Sequence, residues 1–161
     1  MNSRLLTAFK ASLGGGAFAI ALVLLTGKSG LEGREYKPYY DVGGVLTVCD
    51  GHTGRDIIKN KVYTDAECDA LTEKDLRRIA AQVDPNIKVK IPETVRAAIY
   101  TFSYNVGAHA FNTSTMLKKL NAGDTIGACN ELQRWVYVDG KKWKGLMNRR
   151  DVETTVCKWS L

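Results

Sequence analysis

Three kinds of hydrophobic pattern follow one another along the chain. Residues 11–27, ASLGGGAFAIALVLLTG, carry no charge and show no polar face. As a helix they would span about 25 Å, slightly short of a ~30 Å hydrocarbon core. Seven of them are strongly apolar, and the others are alanine, glycine, serine or threonine. At about −0.3 to −0.6 kcal/mol for each strong residue, the run supplies roughly −2 to −4 kcal/mol of insertion energy. That engages an export machinery and makes a weak permanent anchor. Arg4 and Lys10 precede the run, and no acid does, which predicts an N-terminus in the cytoplasm and the bulk of the chain outside. A cleaved signal peptide is one rival, but triplets such as AFA at 17–19 lie inside the run rather than after it. A core helix of a soluble fold is the other.

Past Lys28 the pattern turns globular. YYDVGGVLTV reads as two short strands around Gly43-Gly44, a pair suited to a tight hairpin turn. TDAECDALTEKDLRRIAAQV opens with Thr64 and Glu67 spaced as a capping box, and its apolar residues recur at helical intervals. Pro92 fits the first turn of a helix through ETVRAAIYTFSYNV that stops near Gly107. Shorter helices are expected in STMLKKLNAG, ended by Gly123, and in DTIGACNELQRWV, with a last one over roughly 143–159. Strands are expected in the first third alone: a hairpin-bearing lobe, then a helical one.

Composition narrows the function without fixing it. A chain of 161 residues fits one domain with its own core. The net charge of +6 suits nucleic acid, anionic lipid or an acidic wall polymer. The chain has no Lys/Arg-rich run and no nucleic-acid motif, and it carries an export segment, so nucleic acid is disfavoured. Four cysteines, at 49, 68, 129 and 157, suit two disulfides in an oxidising compartment or four buried thiols; spacing does not decide connectivity.

The candidate chemistry begins five residues after the apolar run. Glu32, Asp41 and Thr47 are nine and then six residues apart. Glycoside hydrolysis needs one carboxylic acid to protonate the leaving oxygen and a second carboxylate to stabilise charge or activate water. Glu32 at a helix end and Asp41 at the start of the hairpin can face each other across a cleft, with Thr47 bonding the water, but the spacing alone fits two solvated surface carboxylates as well. His52 follows Cys49 at Cys-x-x-His spacing, but no second ligand pair accompanies it, so a zinc site is not expected. Trp135, Trp143 and Trp159 can stack on sugars, yet their helical spacing places them in a core. Gly14-Gly15-Gly16 lacks the Lys-Ser/Thr of a phosphate loop.

In order along the chain, Glu32-Gly33, Tyr40-Asp41, Gly44, Thr47, GHTG at 51–54, YTDAECDAL, FSYNVGAHAF, STMLKKLNAGD and RWVYVDGKKWKGLMNRRDVETTVC resemble the phage-type lysozymes, glycoside hydrolase family 24. Within that family the likeness is to lambdoid endolysins that carry a signal-arrest-release segment. The resemblance implies an α+β lysozyme-like fold: a small β-hairpin lobe, a mainly helical C-terminal lobe, and an N-terminal, weakly hydrophobic membrane helix. It implies a membrane segment at residues 1–27 and a catalytic domain at 28–161. The substrate would be peptidoglycan, cut at the β-1,4 bond between N-acetylmuramic acid and N-acetylglucosamine, with no metal or other cofactor. Glu32 would be the general acid, Asp41 the charge-stabilising carboxylate and Thr47 the water-positioning hydroxyl, generally with inversion. His52 would support the hairpin, Asn105 would lie in the cleft, and Arg149 would pair near the glutamate.

The family further implies an enzyme at the host inner membrane, facing the periplasm, released when a holin depolarises the bilayer. Membrane span and catalytic lobe then compete for the same residues, so the anchored form would be inactive. No cysteine precedes Cys49, so activation by exchange with a cysteine in the released segment is closed. The pairing expected is Cys129 with Cys157 and Cys49 with Cys68. A lytic transglycosylase or a non-catalytic wall-binding protein is the alternative.

Overall fold

The computed structural model describes residues 1–26 and 30–161. The expected boundary between residues 1–27 and 28–161 therefore lies outside the described residues. The apolar run does not form one separate helix. Helix α1, Ser3–Ser12, starts on an Asn2 side-chain cap and passes through a 3-10 turn at Leu13–Gly15 into α2, Gly16–Leu25. By length and composition the stretch Ser3–Leu25 can cross a membrane. Here Ile20, Ala21, Leu24 and Leu25 are fully buried in the main core with Ile99 and Phe102.

The glycine triplet has a folded-state purpose. Gly16 sits at φ +75°, and a Cβ on Gly15 would stand 2.5 Å from that of Ala19. The chain therefore turns between α1 and α2 where a side chain would be strained or would collide. Glu93 caps the new helix, its Oε2 accepting the Ala17 N–H at 2.7 Å.

The β lobe follows. Strand β1 (Glu35–Tyr40) pairs antiparallel with β2 (Leu46–Cys49), and β2 with a third, unforeseen strand β3 (His52–Thr53). The β1–β2 connection is wider than a two-residue turn. Tyr40 faces Leu46, and residues 41–45 close through Asp41 N–H to Val45 O (3.0 Å) and Gly44 N–H to Asp41 O (2.9 Å).

Helix α3, Asp65–Val83, begins with both capping-box bonds formed between Thr64 and Glu67. Helix α4, Glu93–Val106, starts after Pro92 and stops at Gly107, φ +88°. Helices α5 (Ala108–Asn112), α6 (Thr115–Asn121) and α7 (Thr125–Glu131) lead to α8, Lys144–Cys157. Against expectation, strands recur late: β4 (Tyr137–Val138) and β5 (Lys141–Lys142) pair around Asp139-Gly140, both at positive φ. They are too short for a period to show. Cys49 bonds Cys68, tying β2 to α3, and Cys129 bonds Cys157, tying α7 to α8.

The tryptophans divide. Trp135 packs edge-on against Phe102 beside the core, as expected. Trp143 is 58% exposed at the end of the late hairpin, and Trp159 is exposed and meets Phe9 of α1 in a perpendicular, edge-on contact. Both lie just outside α8, where helical spacing no longer sets orientation.

Candidate active site

Glu32 stands where the loop after α2 folds back on the end of that helix. A helix leaves its last carbonyls unpaired. The N–H groups of Leu31 and Glu32 donate to two of them, Leu24 O at 2.7 Å and Leu25 O at 3.4 Å. Gly30 makes the approach possible, because a Cβ there would meet the carbonyl oxygens of Leu25 and Thr26 at 2.4 Å. The apolar segment thus supports the backbone of the glutamate directly.

The side chain is held from the other lobe. Arg149 of α8 donates from Nη1 to Glu32 Oε1 at 2.6 Å, from Nε to Glu153 Oε1 at 3.0 Å and from Nη2 to the Thr101 carbonyl at 3.0 Å. The arginine is buried, while the Glu32 side chain keeps 21% of its exposure and opens onto two adjoining cavities. One, of about 500 Å³, is lined by Glu32, Gly33, Glu35, Tyr39 and Gly51. The other, of about 560 Å³, runs past Arg34 and Tyr36 to Asp65 and Asp69. Arg34 anchors this wall: its guanidinium binds Asp50 in a fork at 3.0 and 2.6 Å and reaches Asp65 (2.8 Å) and Asp69 (2.6 Å). These bonds, Asp50 first, raise the arginine further above its ordinary range.

Asp41 and Thr47 meet on one residue of the hairpin, Val45, through its N–H and its carbonyl respectively. Asp41 Oδ1 accepts the N–H groups of Gly43 (2.9 Å) and Val45 (2.8 Å), so the turn is built around that carboxylate. The Thr47 hydroxyl donates to the Val45 carbonyl at 3.0 Å. Tyr39 pairs with Thr47 across the strands and lines the cavity with Glu32. Burial first, then the charges of Glu35, Asp41 and Glu32, push its hydroxyl above the ordinary value.

The other expected residues lie one step back. His52 points away from the cleft, Nδ1 at 2.7 Å from Asp75 and Nε2 at 3.0 Å from Asp56. The Asp75 bond raises its pKa against the opposing effect of burial. With Cys49 in a disulfide and both imidazole nitrogens facing carboxylates, the Cys-x-x-His pair cannot ligate zinc. Asn105 touches Arg150, whose Nη2 donates to its Oδ1. Arg150 and Glu153 were not singled out from sequence. The readable signal was their i, i+3 spacing beside Val152 and Val156, which puts charge on the apolar side of α8.

A β lobe and a helical lobe meeting at a glutamate gripped by a buried arginine define a lysozyme-like protein. The endolysin of Escherichia coli O157:H7 phage FAHEc1 has the same architecture: TM-score 0.73, 30% identity, 81% of this chain and 87% of that one. The muramidase domain of SpmX from Asticaccaulis excentricus matches in fold at TM-score 0.77 and 24% identity, over 86% of this chain and 94% of that one.

The family described as phage lysozyme matches residues 29–153, and the chain belongs to it. Among its relatives is the SAR-endolysin of bacteriophage PS119, 59% identical over 99% of this chain and 97% of that protein. The SAR-endolysin of Enterobacteria phage P21 is 57% identical over 99% and 98%.

Proposed function

We propose that this chain is a phage endolysin that hydrolyses the β-1,4 bond between N-acetylmuramic acid and N-acetylglucosamine in peptidoglycan, with Glu32 as its general acid. The observation that carries the reading is the placement of Glu32: it opens onto both adjoining cavities and is fixed by α2 through its backbone and by α8 through its carboxylate. In its acid form Glu32 protonates the leaving oxygen. Asp41 stabilises charge on the sugar or helps to orient water. Its Oδ1 is occupied by two amides, so Oδ2 serves that role. The Thr47 proton is committed to Val45, which leaves its oxygen to accept a bond from the attacking water. His52, Asn105 and Arg149 support these groups from behind.

Residues 1–27 form the membrane segment and 28–161 the catalytic domain, and the first must join the second for activity. While residues 11–27 sit in the bilayer, the core positions of Ile20, Leu24 and Leu25 are empty and the carbonyls that hold Leu31 and Glu32 are out of place. Release from the inner membrane into the periplasm, after a holin depolarises it, completes the fold. Detergent-free membrane-bound protein should therefore cut peptidoglycan far more slowly than released protein; equal rates would remove this part of the reading.

Product analysis of peptidoglycan digested by released protein, beside Glu32→Gln, tests the chemistry. Reducing-end muramic acid, lost at least about 100-fold in the variant, is expected. Anhydro-muramic products would make the chain a transglycosylase, and no products from either protein a wall-binding module.

A further inference from the structure

Behind the acid lies a buried carboxylate that the reaction as described does not use. Glu153 of α8 is completely buried, and burying a charge is costly unless it is fully paired. Both of its oxygens are engaged: Arg149 Nε donates to Oε1 at 3.0 Å and Arg150 Nη1 to Oε2 at 2.5 Å. Guanidinium N–H groups are donors alone, so two of them converging on one carboxyl select its ionised form. Burial, the largest influence, leaves the Glu153 carboxyl above its ordinary value, and the two guanidiniums oppose that rise without cancelling it.

Each arginine is then committed in a fixed plane. Arg149 spends its remaining bonds on Glu32 and the Thr101 carbonyl. Arg150 spends its own on the Trp135 carbonyl at 3.1 Å and on Asn105, with its guanidinium 4.9 Å from the centre of the Phe102 ring. The result is a relay, Glu32–Arg149–Glu153–Arg150–Asn105, that ends in a neutral amide.

We infer that Glu153 is a positioning residue for the reaction: it orients Arg149 on Glu32 and cancels one of the two positive charges standing behind that acid. The charge count gives the reason. A general acid must hold a proton, and two guanidiniums on one side of it favour its loss. With Glu153 the cluster presents one net positive charge to Glu32; without it, two. The other charged groups facing Glu32 are common to wild type and variants: Arg34 lines the second cavity with Asp65 and Asp69 and also bonds Asp50, and changes at 150 or 153 leave this cluster as it is. Tyr39 of β1 and Tyr104 of α4 feel the charge of Glu32 but are neutral in the working range, because burial pushes both hydroxyls upward. Helix α4 otherwise offers the Thr101 carbonyl and Asn105, and Glu35 lies on an exposed strand across the cavity. The inference rests on the reading of Glu32 as the acid.

The test follows the rate of peptidoglycan clearing by released full-length chain across pH, for wild type, Glu153→Gln, Arg150→Gln and the double variant, beside Glu32→Gln. Glu153→Gln should move the alkaline limb down by about one pH unit, and Arg150→Gln should move it up. The double variant restores the charge balance and should return the limb close to wild type, although it alters the core at two places. A purely structural role predicts lower rates with an unmoved limb and a double variant worse than either single one; that pattern would overturn the proposal. Should Glu153→Gln fail to fold, Arg150→Gln carries the same test with opposite sign, and an unmoved limb there is equally decisive. Activity surviving in Glu32→Gln would instead fell the reading of the acid itself.

Discussion

Helices α2 and α8 reach the same glutamate from opposite sides and hold it by opposite means. Helix α2 offers no polar side chain; it gives two backbone carbonyls, and buried apolar residues keep it in place. Helix α8 offers an arginine locked into a buried ionic relay, and a disulfide to α7 keeps it in place. A segment held mainly by apolar burial, with the Glu93 cap as its polar tie, can exchange a protein core for a lipid core, because both reward the same side chains. A segment carrying Arg149, Arg150 and Glu153 cannot. On the proposed reading of residues 1–27 as a membrane segment, α8 belongs to the permanent scaffold and α2 to the removable part, with Glu32 held by both.

The largest expected effect breaks the α8 side. The Cys129–Cys157 bridge closes a loop of sequence separation 28, so replacing both cysteines with serine should cost about 3–4 kcal/mol in denaturant unfolding. Activity of the still-folded fraction should survive, since the ionic relay remains. Gly30→Ala breaks the α2 side at its tightest point. The added carbon meets backbone, which cannot swing away, so the loop must lift and carry Glu32 with it. A fall in kcat of about 100-fold with little change in melting temperature is expected. Gly14→Ala, where nothing lies within 4 Å of the added carbon, is the control and should keep the wild-type rate. Glu93→Ala is gentler. It removes the acceptor at the start of α2 and should loosen that helix by about 1 kcal/mol. Faster hydrogen exchange in α2, with α8 unchanged, would sharpen the contrast; equal acceleration in both would erase it.

How much of this was legible depended on whether a signal was local. The capping box of α3, the Pro92 and Gly107 limits of α4 and the presence of a hairpin at Gly43-Gly44 were readable because each is decided within a few residues, although the turn spans 41–45 rather than two residues. Strand β3 and the β4–β5 pair were not, being two residues each, although Asp139-Gly140 is a recognised turn pair. Glu32, Asp41 and Thr47 stood out through the resemblance to phage-type lysozymes, since their residue types and spacing alone suit solvated surface groups equally well. The hold of α2 on Glu32 could not be read, because it runs through backbone carbonyls and through the missing side chain of Gly30. Glu153 escaped for a different reason: a glutamate beside two arginines on a helix ordinarily reads as solvated charge, and burial is a tertiary property.

The smallest effect provides a baseline for the comparison, since it arises between β3 and α3, away from both helices. His52 is buried against Asp75, and that bond, with help from Asp56, raises its pKa above the ordinary 6.5. A group whose folded pKa is raised binds its proton more tightly in the folded state. Its contribution is therefore complete below about pH 6.5, where the unfolded chain is protonated too. As pH rises past that value the unfolded chain loses the proton first, and stability declines until the folded histidine loses it as well. Melting temperature should accordingly drift down above about pH 6.5 in wild type, and the drift should flatten in His52→Gln. Asp56 contributes nothing in that window, because Lys74 first and His52 second hold its carboxyl well below the usual range. Glu93→Ala and Gly30→Ala should leave the slope as it is in wild type. A slope altered by either would mean that α2 reaches the β lobe as well as Glu32, and the division between removable segment and fixed scaffold would have to be redrawn.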